Sequence, residues 1–439
     1  MRDSWPLGIM RRRAGGVEVE VETVRPAGYG EVAAVLRRAA GEGLRVVPVG
    51  GLSAVTGAAE VRVGCLALDL GDLNRVLEVD VHNLTARVQA GVNGGDLEQQ
   101  LNGQGLTLGH YPSSLPVATV GGLVSTRSSG QQSTLYGNIE DMVQAISVCL
   151  PDGSITELRR GPRSAVGPHL EGLFIGAEGG LGVVLEVVLR VSRLPSVTLG
   201  RGYDFATLGA GLAAMREIVQ RGVRPLVLRL YDPADTAFQQ SEAGGCLLVA
   251  GVAGEPEVAA ALQTVVDRVV TEGGGDDLGE GPFQRWRERR FHLSRERLED
   301  SLAHAGSFLD TIEVAAPWDR LGPLHAEVTG LLAAEGAGLC HFSHAYPQGC
   351  CAYFTFAGSA GSEAEAEAAY LRCWKGTMEA CQEHAATIGH HHGVGQVRAP
   401  WVRAEMGEWW QLWERIRLSL DPAGIMNPNA VGGRPRTSS

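Results

Sequence analysis

Four segments rich in glycine or hydroxyl side chains constrain the fold of this 439-residue chain more than any other feature. They are PVGGLSAVTG (48–57), HYPSSLPVATVGGLVSTRSSG (110–130), YGNIEDMV (136–143) and EGGLGVVLEVVLRV (178–191). Successive backbone N–H groups in a glycine turn form a concave anion site, and glycine lets the backbone approach a flat ligand closely. The first segment has neither GxGxxG before a helix nor GxxxxGK[ST], so it supports neither a Rossmann site nor a P-loop.

Hydrophobic periodicity predicts alternating helices and strands in the first part of the chain. It indicates a helix at 29–43, a strand leading into the first glycine turn, a strand at 84–92, a short helix at 94–105, a hairpin at 142–158 and a strand at 181–191. Residues 194–205 contain a proline and a glycine cluster, and they are predicted to form a crossing.

The second part alternates long helices with pairs of strands, which predicts an α+β layer with an antiparallel sheet. The predicted helices are 206–221, 256–272, 282–298, 317–335, 361–386 and 403–419, and the predicted strands are 226–231, 246–252, 309–315, 338–346 and 350–357. GGGDDLGEG (273–281) is predicted to be a flexible loop. A chain of this length is expected to form two or three domains.

Charge and composition exclude several classes of protein. The formal net charge is -12, which disfavours a nucleic-acid partner because that role requires a basic face. The first residues lack the apolar stretch of a signal peptide, and no apolar run is long enough to span a bilayer. The eight cysteines form no CxxC pair, which favours reduced, buried thiols and a cytoplasmic location. The nearly complete use of arginine over lysine is typical of a GC-rich bacterium.

The four glycine-rich segments, in this order and spacing, resemble the FAD-binding domain of the vanillyl-alcohol oxidase (PCMH-type) flavoprotein superfamily. Within it, the chain resembles the alkyldihydroxyacetonephosphate synthase family. Besides the second and third segments, the residues that carry this resemblance are GPRSAVGP (161–168), APWDR (316–320), GCCAYFTFA (349–357) and HHHGVG (390–395).

The resemblance implies an α+β protein with a PCMH-type FAD-binding domain of two α/β subdomains and an α+β cap domain with an antiparallel sheet. The implied boundaries are 18–195 for the FAD domain, 196–385 for the substrate-binding cap, and 386–439 for a segment that returns to the flavin. No histidine or cysteine stands in the first turn, so FAD is expected to be held non-covalently. The implied FAD contacts are Pro48, Val49, Gly50, Gly51, Leu52, Ser53, Ala54, Pro112, Ser113, Ser114, Leu115, Pro116, Val117, Ala118, Ser125, Thr126, Arg127, Ser128, Glu178, Gly179, Gly180, Leu181, Gly182, Val183 and Val184.

The resemblance also implies an exchange reaction, in which a fatty alcohol replaces the acyl group of acyl-dihydroxyacetone phosphate through an adduct at flavin N5. His390, His391 and His392 match a triplet that the family uses for activity, and imidazole exchanges protons near neutral pH. A metal site and a solvated loop are the alternatives for the triplet. Metal binding is disfavoured because three adjacent side chains do not readily converge on one ion, so no metal is predicted.

Two further residues match catalytic positions of the family. Tyr353 aligns with a tyrosine that donates and accepts a proton. Its alternative role is packing on a sheet face, and Tyr346 is a second candidate. Arg229 stands inside an apolar strand, where a charge requires an anion nearby. That anion is either the substrate or flavin, or the carboxylate of a structural salt bridge.

Several positions depart from the family pattern. Glu299 stands where the family has an arginine that contacts substrate, although Arg295 or Arg297 would replace it if the alignment shifts. Leu52 replaces a third glycine of the first turn. Gly180 replaces a threonine, and Gln396 replaces a lysine.

These departures keep a second function open, the FAD-linked oxidation of a 2-hydroxy acid or another small alcohol. A non-catalytic flavin-binding protein is a third class, which the retained tyrosine and histidines disfavour. A small-molecule or lipid-like substrate is predicted in either enzyme, while peripheral membrane contact and a homodimer stay open.

Overall fold

The computed structural model of the protein describes residues 3–16, 20–157, 161–239, 241, 243–291 and 295–433. The predicted first residue of the FAD domain, part of the predicted helix 282–298 and the last residues of the C-terminal segment therefore lie outside the described residues. No helix in these ranges combines the length and the apolar character that crossing a membrane requires.

The N-terminal region contains three small sheets and short helices. Its helices are α1 (Pro6–Arg13), α2 (Tyr29–Glu42), α3 (Gly94–Asn102), α4 (Val120–Ser125), α5 (Ser133–Tyr136) and α6 (Ile139–Met142), with a 3-10 helix at Leu170–Leu173. Its strands are β1 (Thr23–Val24), β2 (Arg45–Val49), β3 (Cys65–Asp69), β4 (Val76–Asp80), β5 (Thr85–Gln89), β6 (Leu106–Thr107), β7 (Val143–Cys149), β8 (Val183–Arg190) and β9 (Ser192–Arg193).

Two of these sheets carry the glycine-rich segments at their ends. Strands β1, β3 and β2 form a parallel sheet, and β4, β5, β8 and β7 form an antiparallel one. One hydrophobic core joins them, with Leu36 of α2, Leu68 of β3 and Val187 of β8 fully buried. The first glycine turn follows β2 directly, as the sequence predicts.

The central region is one seven-stranded antiparallel sheet covered by long helices, which confirms the predicted α+β layer. The strand order is β13-β10-β12-β11-β15-β16-β14. The strands are β10 (Val197–Phe205), β11 (Val227–Tyr231), β12 (Cys246–Gly254), β13 (Asp276–Asp277), β14 (Ser307–Pro317), β15 (Ala337–Tyr346) and β16 (Gly349–Ser359). The helices are α7 (Leu208–Gln220), α8 (Pro233–Phe238), α9 (Pro256–Glu272), α10 (Gly281–Arg289), α11 (Arg295–Ser301), α12 (Trp318–Glu335) and α13 (Glu363–Glu383).

The prediction of a crossing at 194–205 missed a strand of this sheet, because residues 197–205 form β10. The glycines that suggested a break instead make room for a helix. A side chain at Gly200 would overlap Phe283, and one at Gly202 would overlap Pro282. The predicted loop 273–281 also contains the short strand β13. The predicted domain boundary after residue 195 falls between β9 and β10, and it stays a prediction.

The C-terminal segment crosses from the central sheet back to the N-terminal region. It contains α14 (Ala399–Met406) and α15 (Trp409–Leu420), where the sequence predicts a single helix at 403–419. The Thr387 N–H donates to the Ala315 carbonyl of β14, and the Val46 N–H of β2 donates to the Ile425 carbonyl. The segment that begins with the three histidines is therefore held at both ends by different sheets.

Candidate active site

A single buried carboxylate holds the backbone of the histidine triplet. Glu313 lies on β14 opposite Tyr353 of β16, and its side chain is inaccessible to solvent. Its Oε1 accepts the backbone N–H groups of His390, His391 and His392 at 3.3, 3.2 and 2.9 Å. Glu313 therefore positions the triplet, a role that sequence reasoning missed.

Arg398 neutralises this carboxylate. Its Nη2 lies 2.5 Å from Glu313 Oε2, and its other nitrogens donate to the carbonyls of Ile388 and Gly393. His392 Nδ1 lies 2.8 Å from the same Glu313 oxygen. Burial alone would raise the pKa of Glu313, but Arg398 and His392 outweigh it and hold that pKa well below its usual range. The anchor of the triplet is therefore ionised at neutral pH.

A second carboxylate holds the other end of the same loop. Glu178 belongs to the fourth glycine-rich segment, and its Oε1 accepts the N–H groups of Val394 and Gly395 at 2.9 and 3.0 Å. Burial raises the pKa of Glu178 to about 7. Asn427 adds a further tie, because its amide donates to the Glu178 carbonyl. The side chain predicted to contact FAD is thus engaged with the loop.

The three histidines lie within a larger cluster of rings. His344 of β15 lies with its ring centroid 5.1 Å from that of His390 and 5.0 Å from that of His391. The ring of Tyr353 stacks on His341 at 4.7 Å and on His391 at 6.0 Å. Sequence reasoning missed His341 and His344. The signal available was their position, three residues apart in the otherwise apolar strand LCHFSHAY.

Backbone strain directs His344 into the cluster. Its φ of 53° lies in the left-handed region, where a β-bulge interrupts the pairing of β15 with β16. Such strain persists where surrounding contacts hold it, and it is concentrated at functional sites. Ser133 Oγ of α5 lies 2.7 Å from His344 Nδ1. The bulge therefore connects the N-terminal region to the histidines.

Burial keeps most of these imidazoles neutral. It lowers the pKa of His390 and of His341 to about 4, and it places the pKa values of His391 and His344 well below their usual range. Neighbouring rings and Arg229 add to the effect at His344. Neutral imidazoles offer both a donor and an acceptor, so the cluster is suited to proton exchange with a ligand.

Arg229 of β11 reaches the same cluster without a carboxylate partner. Its Nη2 lies 2.7 Å from His341 Nε2, and its Nε is buried without a hydrogen bond. No carboxylate of the described residues lies within salt-bridge distance of its guanidinium. The structural salt bridge that the sequence left open is therefore not found in this part of the chain.

The two candidate tyrosines have different partners. The hydroxyl of Tyr353 contacts Thr311 Oγ1 at 3.2 Å, and burial raises its pKa to about 12. The hydroxyl of Tyr346 lies 2.8 Å from His390 Nε2 and accepts from Asn138 Nδ2 at 3.0 Å. Both phenols are therefore protonated at neutral pH, and Tyr346 is the one bonded to the triplet.

Cys351 completes a set of groups that could hold a metal ion. One ligand atom each of Cys351, His390 and His391 lies within 4.8 Å of the others. Burial raises the pKa of the Cys351 thiol well above its usual value, so the thiol stays protonated in the metal-free protein. The Nδ1 atoms of the two histidines lie 2.9 Å apart, within hydrogen-bonding distance. The expectation that no metal is bound stays a prediction.

Family models match most of the chain. Residues 22–159 match a model described as "FAD binding domain", and residues 194–431 match "FAD linked oxidases, C-terminal domain". The chain belongs to the FAD-linked oxidase family. FAD is accordingly its cofactor, and the predicted flavoenzyme is confirmed at this level.

Curated and solved relatives extend the assignment of this FAD-linked oxidase. Alkyldihydroxyacetonephosphate synthase of Dictyostelium discoideum is 30% identical over 96% of this chain and 75% of its own. A protein of Escherichia coli O157:H7 described as uncharacterized FAD-linked oxidoreductase YgcU is 32% identical over 88% of this chain and 83% of its own. A solved alkyldihydroxyacetonephosphate synthase superposes with a TM-score of 0.82 at 26% identity, over 98% of this chain and 81% of its own. The resemblance to the synthase family is confirmed.

The first glycine turn of this FAD-linked oxidase fits the pyrophosphate of its cofactor. Within the described residues, no protein group accepts a hydrogen bond from the backbone N–H groups of residues 50–54. The turn is partly exposed. Unpaired N–H groups in succession form an anion site. Side chains at Gly50 and Gly51 would overlap Thr119 and Val117, so these glycines pack the first turn against the second segment. Leu52 adopts a φ of 52° and packs on the small core beneath β2.

Other predicted FAD contacts differ in which atoms they leave available to a cofactor. Gly179 packs on Pro48, which joins the fourth segment to the first turn, and Ser128 bonds to buried His110 at 2.7 Å. By contrast, Leu181, Val183 and Val184 are core side chains, so only their backbone is available to a cofactor. Arg127 pairs with Glu140 at 2.8 Å. All the predicted FAD contacts stay predictions.

Sequence reasoning missed Arg290, a cation that lies beside the second glycine-rich segment. Its guanidinium lies 4.8 Å from the ring centroids of both Tyr111 and Phe291. Its backbone carbonyl accepts the Gln131 amide, which also contacts Ser113. Glu299 and Arg297 are instead exposed on α11, and the side chain of Arg295 lies outside the described part.

Proposed function

We propose that this FAD-linked oxidase exchanges the acyl group of acyl-dihydroxyacetone phosphate for a fatty alcohol. The observation that carries the proposal is Arg229, a guanidinium without a carboxylate partner in the described residues, placed beside neutral imidazoles and Tyr353. A partly buried guanidinium with an unpaired, buried Nε favours a nearby anion, and the substrate provides one. Similarity to alkyldihydroxyacetonephosphate synthase over nearly the full chain supports the same reaction.

The exchange breaks the bond between the substrate carbon and the acyl oxygen and forms a bond between that carbon and the alcohol oxygen. The alcohol loses a proton and the fatty acid leaves, so no net redox change occurs. When bound, FAD supplies the reactive ring on which this chemistry takes place. His392 accepts the alcohol proton, because its Nδ1 faces Glu313 and its Nε2 is the atom left for exchange. Tyr353 donates to the reacting oxygen, and Arg229 orients the anionic end.

The phosphate requires a second cation, because Glu299 replaces the arginine expected on α11. We assign this role to Arg290, whose charge is held by aromatic rings and not by a carboxylate in the described residues. Burial lowers the pKa of Arg290, which indicates incomplete solvation of the charge. Binding a phosphate would restore that solvation.

A second candidate function is the oxidation of a 2-hydroxy acid. The exposed Glu299 favours it, because a hydroxy acid carries one carboxylate for Arg229 and needs no phosphate pocket. The similarity to an Escherichia coli protein described as an FAD-linked oxidoreductase supports a redox reaction without naming its substrate. Here a histidine would take the hydroxyl proton, and FAD, when bound, would supply the hydride acceptor.

The deciding experiment follows the visible flavin absorbance of the anaerobic holoenzyme. Palmitoyl-dihydroxyacetone phosphate is added to one sample, and D-lactate or glycolate to parallel samples. Bleaching by the acyl phosphate that hexadecanol reverses without an electron acceptor would support the exchange. Bleaching only by a hydroxy acid, restored by oxygen or a dye, would overturn it in favour of oxidation.

Variants assign the cations in the same assay. Arg229→Gln is expected to weaken turnover of either substrate class, whereas Arg290→Gln is expected to raise KM only for the phosphate substrate. Arg415→Gln, an exposed arginine of α15, is the matched control. Acid precipitation of the wild-type protein tests the flavin linkage, since non-covalent FAD appears in the supernatant.

A further inference from the structure

A continuous run of hydrogen bonds leads from the N-terminal region to His391. Ser129 Oγ donates to Asn138 Oδ1 at 2.7 Å, and Asn138 Nδ2 donates to the Tyr346 hydroxyl at 3.0 Å. The Tyr346 hydroxyl lies 2.8 Å from His390 Nε2, and His390 Nδ1 lies 2.9 Å from His391 Nδ1. Each link joins a donor to an acceptor, so the run has a direction.

The direction is set at Asn138, at the start of α6. Because the Ser129 hydroxyl donates to the amide oxygen, the amide nitrogen faces Tyr346. Nδ2 lies closer to the Tyr346 hydroxyl, at 3.0 Å, than Oδ1 does, at 3.5 Å. An amide nitrogen only donates, so the Tyr346 oxygen accepts from it. The hydroxyl proton of Tyr346 is then available for His390 Nε2.

This direction continues through the two imidazoles. A neutral imidazole carries one N–H, and burial keeps both His390 and His391 neutral at physiological pH. His390 accepts at Nε2, so its proton is on Nδ1 and is donated to His391 Nδ1. His391 therefore carries its proton on Nε2. That nitrogen has no hydrogen-bond partner among the described residues, and it is not fully buried.

We propose that Asn138 and Tyr346 are positioning residues that fix the tautomers of His390 and His391, so that His391 offers an Nε2–H donor to the substrate. The substrate group it meets rests on the proposed function: in the exchange it is the oxygen of the departing acyl group, which gains negative charge. His392, whose Nδ1 faces Glu313, offers the opposite polarity. Two adjacent histidines thus divide donor and acceptor roles, because their other nitrogens face different partners.

The test is NMR of the holoenzyme labelled with ¹⁵N-histidine. Two-bond ¹H–¹⁵N correlations report which ring nitrogen carries the proton. In the wild type we expect Nδ1–H at His390 and Nε2–H at His391. Assignment uses single His→Gln variants. His325 and His384, which pair with Asp232 and Glu327 outside the run, serve as internal controls.

Two variants change the direction of the run. Asn138→Asp puts an acceptor opposite Tyr346, so its hydroxyl turns away from His390. The pattern should reverse to Nε2–H at His390 and Nδ1–H at His391. Tyr346→Phe removes the donor, and the Nε2–H signal of His391 should lose intensity to a tautomer mixture. The control histidines should keep their signals in both variants.

Nδ1–H at His391 in the wild type would overturn the proposal, as would an unchanged His391 pattern in both variants. If Asn138→Asp fails to fold or loses FAD, Tyr346→Phe alone decides. The NMR pattern requires no turnover, so it stands or falls separately from the flavin-bleaching assay. If the expected tautomers are found but the acyl phosphate does not bleach the flavin, the proposed exchange is overturned and the tautomer assignment stands.

Discussion

Glu313 and Glu178 hold the same loop from two different regions of the chain, and they differ in what neutralises them. Each is buried, and each accepts consecutive backbone N–H groups of the loop that starts with the triplet. Glu313 of the central sheet has Arg398 at 2.5 Å. Glu178 of the N-terminal region has no cation within salt-bridge distance in the described residues. The pKa of Glu313 is well below its usual range, whereas that of Glu178 is raised to about 7.

The comparison shows that similar hydrogen bonds do not give similar electrostatics. Backbone N–H groups stabilise a carboxylate, but at Glu178 they do not offset desolvation. The central sheet therefore holds the histidines through a permanent charge, while the attachment to the FAD-binding region titrates near neutral pH. As pH changes, the loop is expected to lose its attachment to the FAD-binding region before its attachment to the central sheet.

The largest expected effect comes from Glu313→Gln. It leaves the Arg398 guanidinium buried without a counter-charge, and breaking a buried ion pair in this way costs about 3–5 kcal/mol. Urea denaturation of the holoenzyme should show this loss in the free energy of unfolding, together with release of FAD. Glu363→Gln, which removes a partly exposed partner of Arg13, is the control. Equal losses in the two variants would contradict the central role of Glu313.

The next effect is the pH dependence that Glu178 gives to the free energy of unfolding. The folded-state pKa of Glu178 is about 7, above its ordinary value of 4.5, so the native state binds the additional proton between these pH values. Its contribution to stability is complete below pH 4.5 and is lost as pH rises to about 7. At about 1.4 kcal/mol per pKa unit, the loss is about 3 kcal/mol.

Glu178→Gln cannot ionise, so its stability relative to wild type should increase across this window. Urea denaturation at a series of pH values measures the difference. Glu335→Gln is the control, because Arg372 lowers the pKa of Glu335 and its titration ends below the window. Parallel pH profiles for wild type and Glu178→Gln would remove the contrast between the two carboxylates.

A smaller difference from the matched control is expected for Gly393→Ala. Gly393 has a φ of 78°, and a side chain there would overlap Glu178 Oε1. Gly424 has a φ of 65° but no heavy atom close to its missing side chain. Gly424→Ala is therefore the control, and both substitutions strain the backbone by about 1–2 kcal/mol. Gly393→Ala should lose about 1–3 kcal/mol more, from overpacking, and it should shift the flavin spectrum. Equal unfolding energies would show that the loop tolerates displacement of Glu178.

The smallest effect is expected from His392→Leu. It removes one partner of Glu313 Oε2, but Arg398 and the three backbone N–H groups remain. The contact of His392 Nδ1 with this oxygen, at 2.8 Å, does not have hydrogen-bond geometry, so with the other partners retained the loss of stability should be about 1 kcal/mol or less. Turnover, in contrast, should fall by about two orders of magnitude or more if His392 is the proton acceptor.

The sequence predicted the elements whose signal is local. The first glycine turn, four of the long helices and the triplet lie where their residues indicated, whereas the predicted helix at 403–419 is divided into two. The strand at 197–205 was missed because Gly200 and Gly202 resemble breakers, and their reason for being glycine is Phe283 and Pro282 far along the chain. Periodicity contains no information about such a distant neighbour.

The site shows the same division. His390, His391, His392, Tyr353 and Arg229 were identified from motifs, and the structure brings them together. The partners that control them were not identified, because their roles depend on strands that are distant in sequence. Glu313 lies 77 residues before His390, and Asn138 lies 208 residues before Tyr346. Only the fold shows that these residues meet.

The three backbone N–H groups of the triplet have a support that does not depend on the identity of its side chains. Glu313 accepts N–H groups that every residue except proline possesses, so the loop keeps its path whatever side chains stand at 390–392. Selection can therefore exchange reactive groups at these positions without rebuilding their support. A scaffold of this kind allows new chemistries to evolve on one unchanged architecture. Positions 390–392 are therefore suitable targets for the directed evolution of a changed substrate preference.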